Sequence, residues 1–394
     1  MPRLALLDAN GATSSASLRD PVATARPAAP LRSRVAYAAA HVVPKSWADN
    51  TPGRPAEIDW DATLAFRRHV YSWGLGVADA MDTAQRNMGL DTAATRELIS
   101  RSARVAREEG GSVVVGVNTD HVEDEAITLP QLVDAYLEQL HFTEEQGAGP
   151  VLMASRHLAR AATGPADYLR VYAAVLSSAT VPVVLHWLGT AFDPQLAGYF
   201  GSDDWRTASE VLIRIIEENR DKIAGVKMSL LDADAEIAVR ERLPDGVRMF
   251  TGDDFNYVRL LGDSGDSAAQ RSHSDALLGA FAAIAPVASA AIQALDAGDP
   301  QRYREILGPT EALSRQVFAA PTFYYKTGVA FLSWLNGHQS AFQMVGGLHS
   351  ARSLPHLSEI VRLANEAGAL ERPELAAQRW HGMLRHNGVD VPER

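Results

Sequence analysis

The chain contains no cysteine, which excludes disulfides, thiolate metal sites and cysteine nucleophiles. No stretch approaches the roughly 20 apolar residues that a membrane span requires, and the apolar run within MPRLALLDANG at the amino terminus is too short for a secretory signal. A cytoplasmic location is therefore the default expectation. Basic residues are in deficit: 37 Lys and Arg face 48 Asp and Glu, for a net charge of -11. That balance gives no reason to expect nucleic acid or an anionic membrane as partner. A compact metal-ligand motif such as HExxH is also missing. What is present is an ordinary globular composition, 46% hydrophobic over 394 residues, which can bury a large core. One large barrel with additions accounts for the length as well as two domains do.

Residues 1–33 read as an extension. The run Leu4–Leu7 and the dipeptide Asn10-Gly11 suit a small hairpin, placed over one end of the main domain, and Pro21, Pro27 and Pro30 mark a linker. From Val35 onward, short apolar runs alternate with longer amphipathic segments. Strands are expected at Val35–Val43, Leu75–Ala80, Ser112–Val117, Pro150–Ala154, Val181–Trp187, Ile223–Ser229 and Val247–Thr251. Helices are expected at Trp60–Trp73 behind Asp59, Thr92–Glu109, Leu129–Gln146, Asp167–Ser177, Trp205–Arg220 and Ala233–Arg242. A Gly/Asp/Ser-rich insertion, Gly262–Ser274, contains a candidate mobile lid at Ser264–Ser274; beyond it Ala276–Ile284 reads as either an eighth strand or a helix. Parallel strands need crossovers, and about eight such units imply a closed (β/α)8 TIM barrel over residues 34–285, with a helical C-terminal region at 286–394.

In such a barrel, groups at the strand ends surround one cavity. Asp79, Asp82 and Thr83 follow the second strand; Asn118, Asp120 and His121 the third; Ser155, Arg156 and His157 the fourth. His186 ends the fifth strand, Lys227 and Ser229 the sixth, and Asp253 and Asp254 follow the seventh. Each has a structural alternative. Asp91, Asp120 and Asp254 suit helix N-caps, His186 a satisfied core histidine, and Arg156 a partner for a surface carboxylate. Phe323, Tyr324, Tyr325 and Lys326 suit either the cavity or packing.

The informative stretch is Ile223–Ser229, an apolar run with one lysine at its end. Desolvation disfavours a charged amine, and a lysine so placed becomes a nucleophile toward carbonyl groups. The surrounding segment, KIAGVKMSLLDADAEIAVRERLPDGVRMFTGDD at Lys222–Asp254, resembles the dihydrodipicolinate synthase and N-acetylneuraminate lyase superfamily. There a Gly, aliphatic, Lys triplet carries a Schiff-base lysine, and a Gly-Asp-Asp turn follows the next strand. Val42-Val43-Pro44 with Ile58-Asp59-Trp60, and Pro182–His186, are similar to its first and fifth strands. More particularly, the chain resembles an actinobacterial, dihydrodipicolinate synthase-like branch built on a domain of unknown function.

The resemblance implies a class I aldolase barrel that assembles as a dimer or tetramer, with Lys227 as the Schiff-base lysine. It places His186 where other members carry a proton-shuttling tyrosine, and Asp82 and Thr83 near their paired hydroxyl residues. Ser155-Arg156 stands in place of an aromatic pair, and the arginine expected after the fifth strand is absent from His186–Asp193. Both departures point away from a plain keto acid.

The leading expectation is a Schiff-base lyase acting on a keto-sugar or related polyhydroxy carbonyl compound, without a cofactor. Lys227 is its nucleophile and His186 its general acid/base. Asp82, Thr83, Asn118, Asp120, Arg156, Ser229, Asp253 and Asp254 are its substrate contacts. One alternative is metal-assisted aldolase or isomerase chemistry with Asp79, Asp120, His121, His186 and Asp253 as ligands. Another is a barrel that binds sugar without turnover.

Overall fold

The computed structural model describes residues 3–81, 89–262 and 272–391; Asp82, Thr83 and most of the Ser264–Ser274 segment fall outside them. Two antiparallel strands, β1 (Arg3–Leu7) and β2 (Thr13–Ser17), precede eight that close into a barrel. These are β3 (Ala36–Ala39), β4 (Gly76–Asp79), β5 (Val113–Val117), β6 (Gly149–Met153), β7 (Val183–Leu188), β8 (Ile223–Ser229), β9 (Arg248–Thr251) and β10 (Asp275–Leu278). All neighbours are parallel, and β10 pairs with both β9 and β3 to complete the ring. The helices among them are α1 (Trp60–Ser72), α2 (Thr92–Glu109), α3 (Leu129–Glu145), α4 (Arg156–Ala161), α5 (Pro165–Ser178), α6 (Trp205–Glu218), α7 (Ala233–Arg240) and α8 (Tyr257–Leu261). After β10 come α9 (Ala280–Ala283), α10 (Ala285–Asp296), α11 (Pro300–Leu307), α12 (Thr310–Val317), α13 (Tyr325–Leu335), α14 (Leu354–Glu366) and α15 (Pro373–His386). The chain is a (β/α)8 TIM barrel with an N-terminal hairpin and C-terminal helices.

Local chemistry explains the boundaries. Asp59 accepts from Ala62 N at 3.0 Å and Asp91 from Ala94 N at 2.7 Å, satisfying orphan amides at the starts of α1 and α2. Thr128 and Gln131 form a capping box for α3. The ambiguous stretch Ala276–Ile284 resolves into both alternatives, since β10 ends at Leu278 and α9 begins two residues later. Its all-apolar pattern carries no period because both halves are buried.

The hairpin turns on Asp8, whose Oδ1 accepts from Asn10 N and Ala12 N, each at 2.8 Å. Its first strand docks on α14 and α15. Trp380 Nε1 donates to Ala5 O at 2.8 Å, and Leu7 N donates to Ser358 Oγ at 2.7 Å. No helix among the described residues is long and apolar enough to cross a membrane.

Candidate active site

Strand alternation decides which side chains enter the barrel. Trp187 meets Phe200 edge-on at 5.3 Å between ring centroids, and Phe200 lies against Tyr168 and Tyr172 of α5, outside the strands. His186 therefore faces inward. Lys227 is its register partner on β8, and Ser229, two residues on, shares that face. His186 Nε2 lies 3.0 Å from Ser229 Oγ, a bond that fixes the imidazole beside the lysine strand. All three are buried; Lys227 is 5% exposed.

The space the lysine occupies is made by a glycine. A Cβ on Gly252, at the end of β9, would lie 2.8 Å from Lys227 Cε and 2.2 Å from Ser229 Oγ. At such distances the lysine chain must shift, and the backbone oxygen of Met228, also 2.8 Å from that position, leaves a methyl group little room on the other side. Beneath it Phe250, the register partner of Lys227, contacts Tyr37 at 6.2 Å between ring centroids and fills the volume left by Gly225. The lysine thus rises from an aromatic floor toward the C-terminal ends of the strands, the face where barrel sites assemble.

The other sequence candidates are distributed unevenly. Asn118 ends β5 and is buried, and its Oδ1 accepts from Asp120 N at 2.8 Å. Asp120 borders a polar cleft of about 360 Å³, whose lining includes Arg156, His157 and Arg160. Within it Arg156 Nε is 2.5 Å from Asp193 Oδ2, so its charge is compensated. Asp253 is engaged in its own turn. Its Oδ1 accepts from Phe255 N and Asn256 N, its Oδ2 accepts from Asn256 Nδ2 at 2.8 Å, and burial raises its carboxyl above the ordinary range. Asp254 Oδ1 accepts from Ala280 N at 2.8 Å, tying the end of β9 to the start of α9.

Four of the five ligands of the metal-assisted alternative turn to other partners. Asp79 makes a bidentate pair with Arg67 of α1, at 2.5 and 3.3 Å, with both side chains fully buried. His121 Nε2 turns to Glu138 on α3 at 3.3 Å, while His186 pairs with Ser229 and Asp253 with Asn256.

One buried acid lies outside the sequence candidates, and one buried lysine, Lys326, stands among them. Glu236 on α7 is 1% exposed and accepts from Ser274 Oγ at 2.7 Å; burial pushes its carboxyl up to about 8. Lys326 on α13 reaches the end of β3, where Nζ donates to Ala39 O and, at 3.4 Å, to Ala40 O. Its neighbour Tyr325 stacks on Phe318 at 4.4 Å between centroids, and Phe192, from the loop after β7, meets both rings edge-on. The Phe323–Lys326 cluster hints at this contact, since aromatics opening a helix favour packing. Gly252 leaves no signal beyond standing first in the Gly-Asp-Asp turn.

Fold and site define a parallel barrel protein with an amine and an imidazole inside one end. The family described as "Protein of unknown function (DUF993)" matches residues 4–389, and the chain belongs to that family. No curated protein matches it. Among solved structures, 4-hydroxy-tetrahydrodipicolinate synthase from Methylacidiphilum fumariolicum SolV matches over 90% of this chain and 98% of its own, with a TM-score of 0.62 and 14% identity. Dihydrodipicolinate synthase from Thermotoga maritima matches over 86% and 99%, with a TM-score of 0.63 and 15% identity. A putative dihydrodipicolinate synthetase from Pseudomonas aeruginosa matches over 83% and 99%, with a TM-score of 0.59 and 16% identity. At these identities the likeness is one of fold, and at that level the resemblance of the Lys222–Asp254 segment is met.

Proposed function

We propose that the protein is a Schiff-base-forming lyase, an aldolase or dehydratase, acting on a keto-sugar or related polyhydroxy carbonyl compound. One observation carries the reading: Lys227 lies inside the barrel in a glycine-made slot, next to the His186–Ser229 pair. The fold shared with dihydrodipicolinate synthases supports it.

The uncharged amine adds to the carbonyl carbon, and loss of water gives an iminium that withdraws electrons from the adjacent carbon. A carbon-carbon bond to the next centre then breaks, or a hydroxyl leaves as water. In cleavage His186, its ring fixed by Ser229 Oγ, takes the hydroxyl proton of the departing carbon and returns it to the enamine carbon, restoring the iminium. In dehydration it takes the proton of the adjacent carbon and gives it to the leaving hydroxyl. Water finally hydrolyses the iminium and restores Lys227. A polyhydroxy substrate is favoured over a keto acid because Arg156, the arginine after β6, is neutralised by Asp193, while Asn118 and Asp120 offer polar partners for hydroxyls.

Borohydride reduction in the presence of a panel of keto-sugars and keto acids, followed by peptide mass spectrometry, tests the assignment. An adduct on Lys227 with at least one keto-sugar is expected. Turnover of a substrate with Lys227 left unmodified would refute it.

A further inference from the structure

Away from the lysine, α1 and the C-terminal region bring together three side chains of ligand type. His69 lies in the last turn of α1, His338 three residues after α13, and Glu371 two residues before α15. One ligand atom from each lies within 4.8 Å of the other two. Glu371 Oε1 is 2.7 Å from His338 Nε2 and 3.9 Å from His69 Nε2. The two imidazoles sit 4.0 Å apart between centroids, and both pack on Phe66.

We propose that His69, His338 and Glu371 bind a divalent cation of the zinc class, with water as the fourth ligand. Two imidazole nitrogens and one carboxylate oxygen are a donor set suited to such an ion, and three protein ligands leave one position for solvent. Bonds of roughly 2.0–2.1 Å place tetrahedral ligands about 3.3 Å apart, and the two distances to Glu371 Oε1 bracket that value. Small side-chain rotations seat the ion.

An ion pair between His338 and Glu371 accounts for one imidazole. It leaves unexplained why a second faces the first at such close range. Arg26 adds an adverse positive charge to His69, which the Glu371 carboxylate offsets.

The frame is built in advance of the ion. Glu371 N donates to Asn336 Oδ1 at 2.9 Å, Asn336 Nδ2 to Ala369 O at 3.2 Å, and His338 N to Ser333 O at 2.9 Å. The ligands are part-exposed, with side chains at 16, 18 and 27%, so an ion enters from solvent without unfolding. Helix α1 leads into β4 at Gly76, seven residues after His69, which puts the cluster on the face opposite the strand ends that carry Lys227. The ion would therefore staple the first barrel helix to the C-terminal region, on the side of the fold associated with stability.

Tag-free full-length protein, dialysed against chelator, would be titrated with Co2+ and Zn2+. One equivalent of cobalt with visible bands of a four-coordinate N/O site is expected, together with a Tm rise of about 3 °C when zinc exceeds its Kd 100-fold. Glu371→Gln and His338→Ala should each weaken binding at least about 100-fold. His69→Gln, on a part-exposed helix face, repeats the measurement where another variant fails to fold, with the near-UV dichroism of the apo form showing that it is intact. Wild-type protein that takes up no cobalt, or folded variants that bind as tightly as wild type, would overturn the site. Borohydride trapping at Lys227 should be unaffected by chelation.

Discussion

Two sides of the barrel mouth treat buried polar groups in opposite ways. Between β3 and β4, Arg67 meets Asp79, His41 O and Thr63 O, His41 Nε2 meets Gln339 Oε1 at 2.7 Å, and Lys326 is held by two carbonyl oxygens. These groups bond to one another and to backbone carbonyls, and so lock α1 and α13 to the strands. Between β7 and β9, Lys227 and Ser229 fill the volume left by Gly252, and His186 bonds to Ser229 beside them. The chain thus buries two lysines in different settings, and burial alone does not mark a nucleophile. What distinguishes Lys227 is an imidazole, His186, as its register partner on the neighbouring strand and a slot that the missing side chain of Gly252 provides.

Replacing each lysine in turn is the strongest way to break that contrast. Lys227→Met should abolish borohydride-trapped adduct, a loss of more than about 10³-fold in any turnover, while thermal unfolding stays near wild type. Lys326→Met should do the reverse, keeping the adduct while leaving carbonyls unsatisfied, at about 1–3 kcal/mol in urea unfolding. Loss of adduct in both would erase the distinction.

On the locked side, Arg67→Ala strands the Asp79 carboxylate in the interior. Equilibrium unfolding should report about 3–5 kcal/mol of destabilisation, as for other broken buried pairs. On the other side, Gly252→Ala drives a methyl group against Lys227 Cε and Ser229 Oγ. The expected outcome is about 1–3 kcal/mol of lost stability and a slower trapping rate, because the amine is displaced.

A subtler test uses pH. Glu236 has its carboxyl raised from 4.5 to about 8, so the folded chain holds that proton more tightly than the unfolded chain. Its contribution to stability is unpenalised below pH 4.5, declines as pH rises toward 8, and is fully adverse above it. Unfolding measured from pH 5 to pH 9 should show Glu236→Gln gaining on wild type as pH rises. A constant difference would mean the carboxylate ionises freely.

The barrel itself was legible because its signals are local. Val113–Val117 is a β-branched run too short for a helix, and Asp59 and Asp91 announce the helices behind them. The lysine was legible for the same reason, as a single charge at the end of an apolar strand. Rim position was a weaker guide. Asp79 follows its strand like the other candidates, yet it points outward to Arg67, and Asp253 serves the turn it sits in. A carboxylate two residues before an amide that needs an acceptor is a turn signal as much as a ligand. Nothing local joins His69 to His338 and Glu371, which lie 269 and 302 residues after it in the chain and meet it only through the fold.

The docking of β1 on α15 has a consequence for how the molecule comes into being. Trp380 leaves the ribosome 375 residues after its partner Ala5. At ordinary rates of synthesis that interval is roughly 20 to 75 s. Until then the apolar edge formed by Leu4 and Leu7 has no α15 to rest on, so the barrel assembles with its leading hairpin still waiting. Strand β1 is seated by a helix that is made long after it.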